Sequence, residues 1–308
     1  MSKYLVTGGA GFIGSNIVKK LVEIGEDVRV IDNFSTGKRQ NLISVIDKIE
    51  LIEGDIRSYH VVLEAVKGID YVLHEAALPS VPRSVKDPLT TNEVNIVGTL
   101  NLLQVARDNG VKRFVFASSS SIYGDTEISP KKENFPPNPK SPYAISKLAG
   151  EQYCKVFYNL YGLPTISLRY FNVFGPNQDP NSQYSAVIPK FIKLIKERKS
   201  ITVYGDGEQT RDFTYVENVV NANLLAIKSS KESFGEIFNV ACGDSISLNH
   251  VIKILFREIG QEVKINYDKP RMGDVKNSEA DIRKSKEILG YKVLVNSEEG
   301  LKRSINYY

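Results

Sequence analysis

The chain has 308 residues, 42% hydrophobic and 25% charged, the composition of an ordinary globular protein with one large or two interlocked domains. The formal net charge of +4 comes from lysines spread along the chain, which gives no footprint for nucleic acid. Two cysteines, Cys154 and Cys242, and three histidines argue against a disulfide framework or a metal site, and no apolar run approaches the ~18 residues of a membrane span.

The N-terminal MSKYLVTGG runs directly into a strand without a signal peptide, so a cytoplasmic location is expected. Candidate strands are 3–8, 27–32, 49–55, 71–76, 113–119 and 164–171. Between them lie amphipathic stretches around 12–25, 58–67, 92–109 and 143–161. Strands alternating with helices predict a parallel sheet covered on both faces, and the near-continuous apolar character of these strands fits that burial. After about residue 175 the rhythm changes, through the turn-rich GPNQDPNSQ (175–183). Helices are then predicted near 186–198, 217–228, 247–259 and 281–289, with short strands at 201–205, 212–216, 236–241 and 263–268. The expected fold is α/β, a Rossmann-type doubly wound parallel sheet over 1–175. A smaller α/β substrate lobe over 176–308 sends some elements back to the first domain.

The stretch VTGGAGFIGSN (6–16) places Gly8, Gly11 and Gly14 between a strand and a helix. A diphosphate needs that tight turn and close backbone approach at a helix N-terminus, where free amides and the helix dipole favour negative charge. Gly8, Gly11, Phe12 and Ile13 are therefore candidates to hold a dinucleotide. Asp32, with Asn33 beside it, ends the second strand, where a carboxylate bonds the adenosine ribose and repels a 2′-phosphate. NAD is thus expected rather than NADP. Asp55 and Ile56, ending the third strand, are placed beside the adenine.

In SPYAISKLAG (141–150), Ser141 and Pro142 read as N-cap and first residue of a helix. Tyr143 and Lys147 then share one face, four residues apart. A nearby ammonium stabilises a phenolate, so the Tyr143 pKa is expected to fall below its ordinary ~10, as suits a general base toward an alcohol. The serine run ASSSSIYGD (117–125) ends a strand at the same edge of the sheet.

With these motifs, HEAA (74–77), RYFNVFGP (169–176) and GEQTRDFTYVENV (207–219), nearly the whole chain resembles the extended short-chain dehydrogenase/reductases. The resemblance implies a Ser–Tyr–Lys group. Tyr143 exchanges a proton with a sugar hydroxyl, Lys147 bonds the nicotinamide ribose and holds the Tyr143 pKa down, and Ser119 bonds the same hydroxyl, with Ser120 the alternative register. Ala76 of HEAA joins the cofactor wall, whereas His74 reads as structural or cofactor-lining and Cys154 as buried and inert. Related nucleotide-sugar dehydratases and decarboxylases carry an acid where this chain has serines before Ile122. Its absence points to a UDP-hexose 4-epimerase, an isomerase that carries NAD through a transient 4-keto sugar.

The resemblance further places Asn172, Arg211 and Arg271 on the substrate diphosphate and Asp274 on the uridine ribose. Ser278 takes the gatekeeper position beside the sugar C2 substituent, where a small residue leaves room for an N-acetyl group. SVPRSVKDP (80–88), beginning at Ser80, resembles the matching segment of epimerases that prefer N-acetylated sugars. The expected substrates are UDP-GlcNAc/UDP-GalNAc together with UDP-Glc/UDP-Gal. A UDP-glucuronate 4-epimerase and a non-catalytic NAD- or nucleotide-sugar-binding regulator are the alternatives. The helices near 92–109 and 143–161 match those that form a four-helix homodimer interface in the family.

Overall fold

The computed structural model describes residues 1–126, 128–180, 187–270 and 277–308. Six strands of the first half are β1 (Lys3–Thr7), β2 (Asp27–Asp32), β3 (Ile49–Glu53), β4 (Tyr71–His74), β5 (Arg113–Ser119) and β6 (Thr165–Tyr170). They are followed by β7 (Val173–Phe174), β8 (Ile201–Tyr204), β9 (Thr210–Arg211), β10 (Thr214–Tyr215), β11 (Ile237–Val240), β12 (Ile246–Ser247), β13 (Ile265–Asp268) and β14 (Asn277–Ser278). One seven-stranded sheet has the order β11-β6-β5-β4-β1-β2-β3, and every pair in it is parallel. The chain steps outward from β1 to β3, then crosses back to place β4 on the other side of β1. That reversal opens a crevice beyond the strand ends, between the β1 and β4 loops.

The helices are α1 (Phe12–Glu23), α2 (Tyr59–Val66), α3 (Val81–Lys86), α4 (Pro88–Asn92), α5 (Gly98–Asp108), α6 (Pro142–Tyr161), α7 (Val187–Lys196), α8 (Val216–Lys228), α9 (Leu248–Ile259), α10 (Arg283–Leu289) and α11 (Ser297–Tyr307). One face of the sheet packs residues of α1 and α8, such as Ile17, Leu21, Val219 and Ala226. The other packs α2, α5 and α6, through Val62, Leu102 and Phe157. A separate core joins Phe174, Phe191, Ile252 and Leu301 in the second half of the chain. Strand β11 and helix α8 therefore belong to the large sheet although they follow residue 176.

The helix expected over 92–109 is three pieces: α4, a π-helical stretch Glu93–Val97 and α5. Two local demands explain the break. Asn95 bonds the Leu78 backbone on both sides, accepting from its N–H at 2.8 Å and donating to its C=O at 3.2 Å. At Gly98, a Cβ would lie 2.5 Å from Ile56 Cδ1, so the helix approaches that side chain closely. Strand β10 falls within the stretch predicted at 212–216, whereas α3, α11 and the other two-residue strands have no counterpart in the sequence reading; α3 and those strands carry too few residues to show a period.

Candidate active site

The crevice is a cavity of about 740 Å³ lined by the glycine loop, the ends of β2, β3, β4 and β5, helix α6 and residues 177–179. Gly8 has φ +66°, and a Cβ there would sit 2.8 Å from the Ala76 backbone. A Cβ on Gly14 would sit 2.2 Å from the Gly8 carbonyl oxygen, so only glycine lets α1 start this close to the turn. Gly11 is the α1 N-cap and brings no capping side chain, which leaves the first amides of the helix for a ligand.

At the other side of the loop, Asp32 is buried and accepts from Ala10 N at 2.9 Å and Phe34 N at 2.8 Å. Burial raises its pKa, and those two amides oppose the rise. Asn33 donates to Asp55 at 2.9 Å. Asp55 is held down to about 2, chiefly by its hydrogen bond from Arg57. Ile56 is buried behind it, and Gly8, Gly11, Phe12, Ile13, Asp32, Asn33, Asp55, Ile56 and Ala76 all line the crevice. A glycine cradle with free amides, flanked by a carboxylate at the end of β2, fits a dinucleotide with one ribose on Asp32 and its diphosphate on the loop.

His74 does not face the crevice. Thr99 gives its proton to the Asn95 carbonyl at 2.6 Å, so its oxygen accepts from His74 Nε2 at 2.8 Å. His74 Nδ1 then accepts from Thr7 at 2.7 Å, and Thr7 accepts from Ala76 N at 3.1 Å. This relay fixes the neutral tautomer and ties the Ala76 wall to the sheet. Burial lowers the His74 pKa to about 3.

Helix α6 begins as its sequence predicts. Ser141 accepts from Ala144 N at 3.1 Å and Pro142 occupies the first turn. Tyr143 and Lys147 both line the crevice, and Lys147 donates to the Ala117 carbonyl at 2.7 Å. The serines of the run differ in their surroundings. Ser118 lines the crevice and donates to Glu151 at 2.6 Å, within a buried pair of Glu151 and Arg169 at 2.7 Å, whereas Ser119 and Ser120 lie outside that lining. Ser119 stands close enough to Tyr143 for its hydroxyl to oppose the rise in the phenol pKa, and accepts from Ser121 N at 3.2 Å. Ser120 opens a short 3-10 turn over Ser120–Tyr123.

The expected fall in the Tyr143 pKa is corrected. Burial raises it, Glu75 adds to the rise, and only the Ser119 hydroxyl lowers it. Burial likewise brings Lys147 down to about 8. Desolvation of two groups on one buried face outweighs any help the i, i+4 spacing brings, and that burial was invisible in the sequence.

The substrate candidates divide. Ser80, at φ +101°, lines the crevice and caps α3 by accepting from Arg83 N at 3.3 Å. Asn172, Arg211 and Ser278 lie outside the crevice lining but converge on Asp212. Arg211 and Ser278 are register partners on β9 and β14. Asp212 donates its amide to Ser278 O at 2.7 Å, and Asn172 Nδ2 donates to Asp212 O at 3.1 Å. The Asp212 carboxylate accepts from Cys242 N, Gly243 N and Ala280 N at 2.9, 3.0 and 3.2 Å. Burial pushes its pKa to about 7. Arg271 and Asp274 lie outside the described residues.

The sequence reading missed Asp212, Glu75 and the strap over the cavity mouth. In that strap Asp179 pairs with Lys38 at 2.7 Å and Asn177 donates to Ser15 at 2.9 Å. Glu75 lies inside the HEAA segment, and its partner Tyr170 is 95 residues away in the chain.

A model of the NAD dependent epimerase/dehydratase family matches residues 4–241. The chain belongs to this family. It is 36% identical to a UDP-glucose 4-epimerase of Mycolicibacterium smegmatis, over 99% of this chain and 97% of that one. It is similar to the solved UDP-N-acetylglucosamine 4-epimerase of Methanobrevibacter ruminantium in complex with UDP-N-acetylmuramic acid, with TM-score 0.95, 40% identity and 99% and 97% of the two chains covered. The UDP-glucose 4-epimerase of Thermotoga maritima with UDP-glucose gives TM-score 0.94 and 39% identity, covering 99% and 98%. Among the described residues no helix is long and apolar enough to cross a membrane, and no group of three or more metal-ligating side chains exists.

Proposed function

We propose that the protein is an NAD-dependent UDP-hexose 4-epimerase acting on UDP-GlcNAc/UDP-GalNAc and on UDP-Glc/UDP-Gal. The observation that carries this reading is Tyr143 and Lys147 together in the wall of a crevice shaped for a dinucleotide, with Ser119 near the phenol. When bound, NAD supplies a two-electron acceptor that later gives the hydride back. Tyr143 takes the proton of the sugar C4 hydroxyl and returns it to the same oxygen once the ketone has turned its opposite face to the cofactor. Ser119 orients that hydroxyl, and Lys147 holds the adjoining ribose. Gly8, Gly11, Phe12, Ile13, Asp32, Asn33, Asp55, Ile56 and Ala76 hold the dinucleotide.

Arg211, Asn172 and Ser278, gathered around Asp212, form one edge of the nucleotide-sugar site in this reading, with Arg271 and Asp274 assigned from sequence. Small Ser278 leaves space for an N-acetyl group. The relatives solved with UDP-glucose and with UDP-N-acetylmuramic acid support a UDP-sugar of either type. The division into a cofactor part over 1–175 and a sugar part over 176–308 is part of the proposal, with α8 and β11 returned to the first. A cytoplasmic setting suits two free thiols. Exposed Ile145, Val156 and Leu160 along α6, with Leu89 on α4, support a homodimer through paired helices.

The test is a product assay on purified protein with UDP-GlcNAc and UDP-Glc side by side and no added NAD. Formation of UDP-GalNAc and UDP-Gal is expected. Activity on UDP-Glc alone would keep the mechanism and discard the role of Ser278. No conversion of either, even with NAD added, would overturn the reading and make UDP-glucuronate the next substrate to try.

A further inference from the structure

Glu75 is the one crevice residue at the catalytic end whose charge the mechanism above leaves unused. It follows β4 at the sheet's switch point, and its amide donates to Thr7 O at 3.2 Å. It lines the same cavity as Tyr143, Lys147 and Tyr170. The other lining carboxylates lie elsewhere. Asp32 and Asp55 are at the adenosine end, and Asp179 is paired with Lys38 in the strap.

The Glu75 side chain is held in place. Asn223 Nδ2 donates to the Tyr170 hydroxyl at 2.8 Å, so Tyr170 passes its own proton to Glu75 Oε1, also at 2.8 Å. Among the described residues Tyr170 is the only hydrogen-bond partner of that carboxylate. The group is thus fixed at one oxygen in the wall of the cavity.

We propose that the Glu75 carboxylate sets the redox preference of the bound dinucleotide, favouring the oxidised, cationic nicotinamide over the neutral reduced one. The inference rests on the cofactor reading given under Proposed function. A dinucleotide with one ribose on Asp32 and its diphosphate on the glycine loop brings its second nucleoside to the Tyr143–Lys147 end, where Glu75 stands. The oxidised ring carries one positive charge and the reduced ring none. A fixed carboxylate in a low-dielectric site therefore stabilises the first selectively. Lys147 acts in the opposite sense, so the pair sets the balance. For an enzyme that must begin every turnover with the oxidised ring, such a bias keeps the resting protein ready to accept a hydride.

The test uses protein carrying its nicotinamide nucleotide, equilibrated against mediator couples of stepped potential, with the reduced fraction read from the absorbance of the reduced ring. Glu75→Gln keeps an acceptor for Tyr170 and removes the charge. It is expected to shift the bound oxidised-to-reduced ratio about tenfold toward the reduced form, a midpoint about 30 mV more positive. The measurement is made well above pH 7, because burial raises the Glu75 pKa to about 7 and the Tyr170 hydrogen bond opposes that rise. There Tyr170→Phe removes the hydrogen bond, keeps the charge and is expected to retain most of the wild-type midpoint. An unchanged midpoint in Glu75→Gln would overturn the proposal. So would equal shifts in both variants, which would assign the effect to side-chain placement rather than charge. Wild-type protein that carries and binds neither form of the nucleotide would overturn the cofactor reading itself, an outcome distinct from a failure of Glu75.

Discussion

Ser118 and Glu151 are joined by a 2.6 Å hydrogen bond, buried beneath the strand end that carries Ser119. Adjacent strand residues point to opposite faces, so Ser118, tied to Glu151, and Ser119, near Tyr143, have different surroundings. Ser118→Ala is expected to cost about 1–3 kcal/mol of stability, because it takes a donor from a buried carboxylate. Ser119→Ala is expected to lower kcat with little change in the melting temperature. Thermal unfolding and steady-state kinetics on the two variants separate these effects, and the reverse pattern would move the catalytic role to Ser118.

The Tyr143 phenol must lose its proton to act as a base, and burial raises its pKa. The rate is therefore expected to climb on the alkaline side as the phenolate fraction grows. Tyr143→Phe should lose that limb, with kcat down about 10²–10⁴-fold. Ser119→Ala removes the hydroxyl that lowers the phenol pKa and should move the limb to higher pH. A pH–rate profile for the three proteins checks both points.

His74 is neutral in the fold, its pKa lowered to about 3 from an ordinary 6.5. On acidification the unfolded chain binds this proton first. The stabilisation His74 brings is therefore full above about pH 6.5 and is lost progressively toward pH 3. Glu75 and Asp212, both raised to about 7 by burial, run in the opposite sense over their own range. A comparison with His74→Gln cancels their contribution. The stability advantage of wild type over this variant should shrink between pH 8 and pH 5. A constant difference across that range would refute the assignment.

Asp32 is the acid that distinguishes the two dinucleotides. Asp32→Ala removes the carboxylate and two backbone hydrogen bonds, so NAD affinity is expected to fall. The NAD-over-NADP preference should narrow by about tenfold, since repulsion of the 2′-phosphate goes with the charge. Titration calorimetry with both nucleotides reads the ratio. An unchanged ratio would point to another discriminating group.

Ile145, Val156 and Leu160 fall on one face of α6, spaced eleven and four residues apart, and Leu160 is 70% exposed. Covering that face with a second copy is expected to give a dimer at micromolar concentration. Ile145→Glu with Leu160→Glu should yield a monomer in light scattering. A wild-type monomer would remove the dimer from the account.

The amino-acid sequence alone determined the main sheet, because strands buried on both faces leave long apolar runs that read clearly. It determined the glycine cradle, Asp32 and the Tyr143–Lys147 spacing for the same kind of reason. Turns, caps and helix faces are local, and their chemistry is written in adjacent residues. Tertiary structure alone decided what depends on distant contacts. The Ser118–Glu151–Arg169 cluster, far apart in the chain, separates one serine from the next. Burial rather than spacing governs the Tyr143 pKa. Asp212 gathers Asn172, Arg211 and Ser278 from three segments, and Glu75 meets Tyr170 only because β4 and β6 end at the same edge. Desolvation and long-range hydrogen bonding belong to the packed molecule, and no window of sequence contains them.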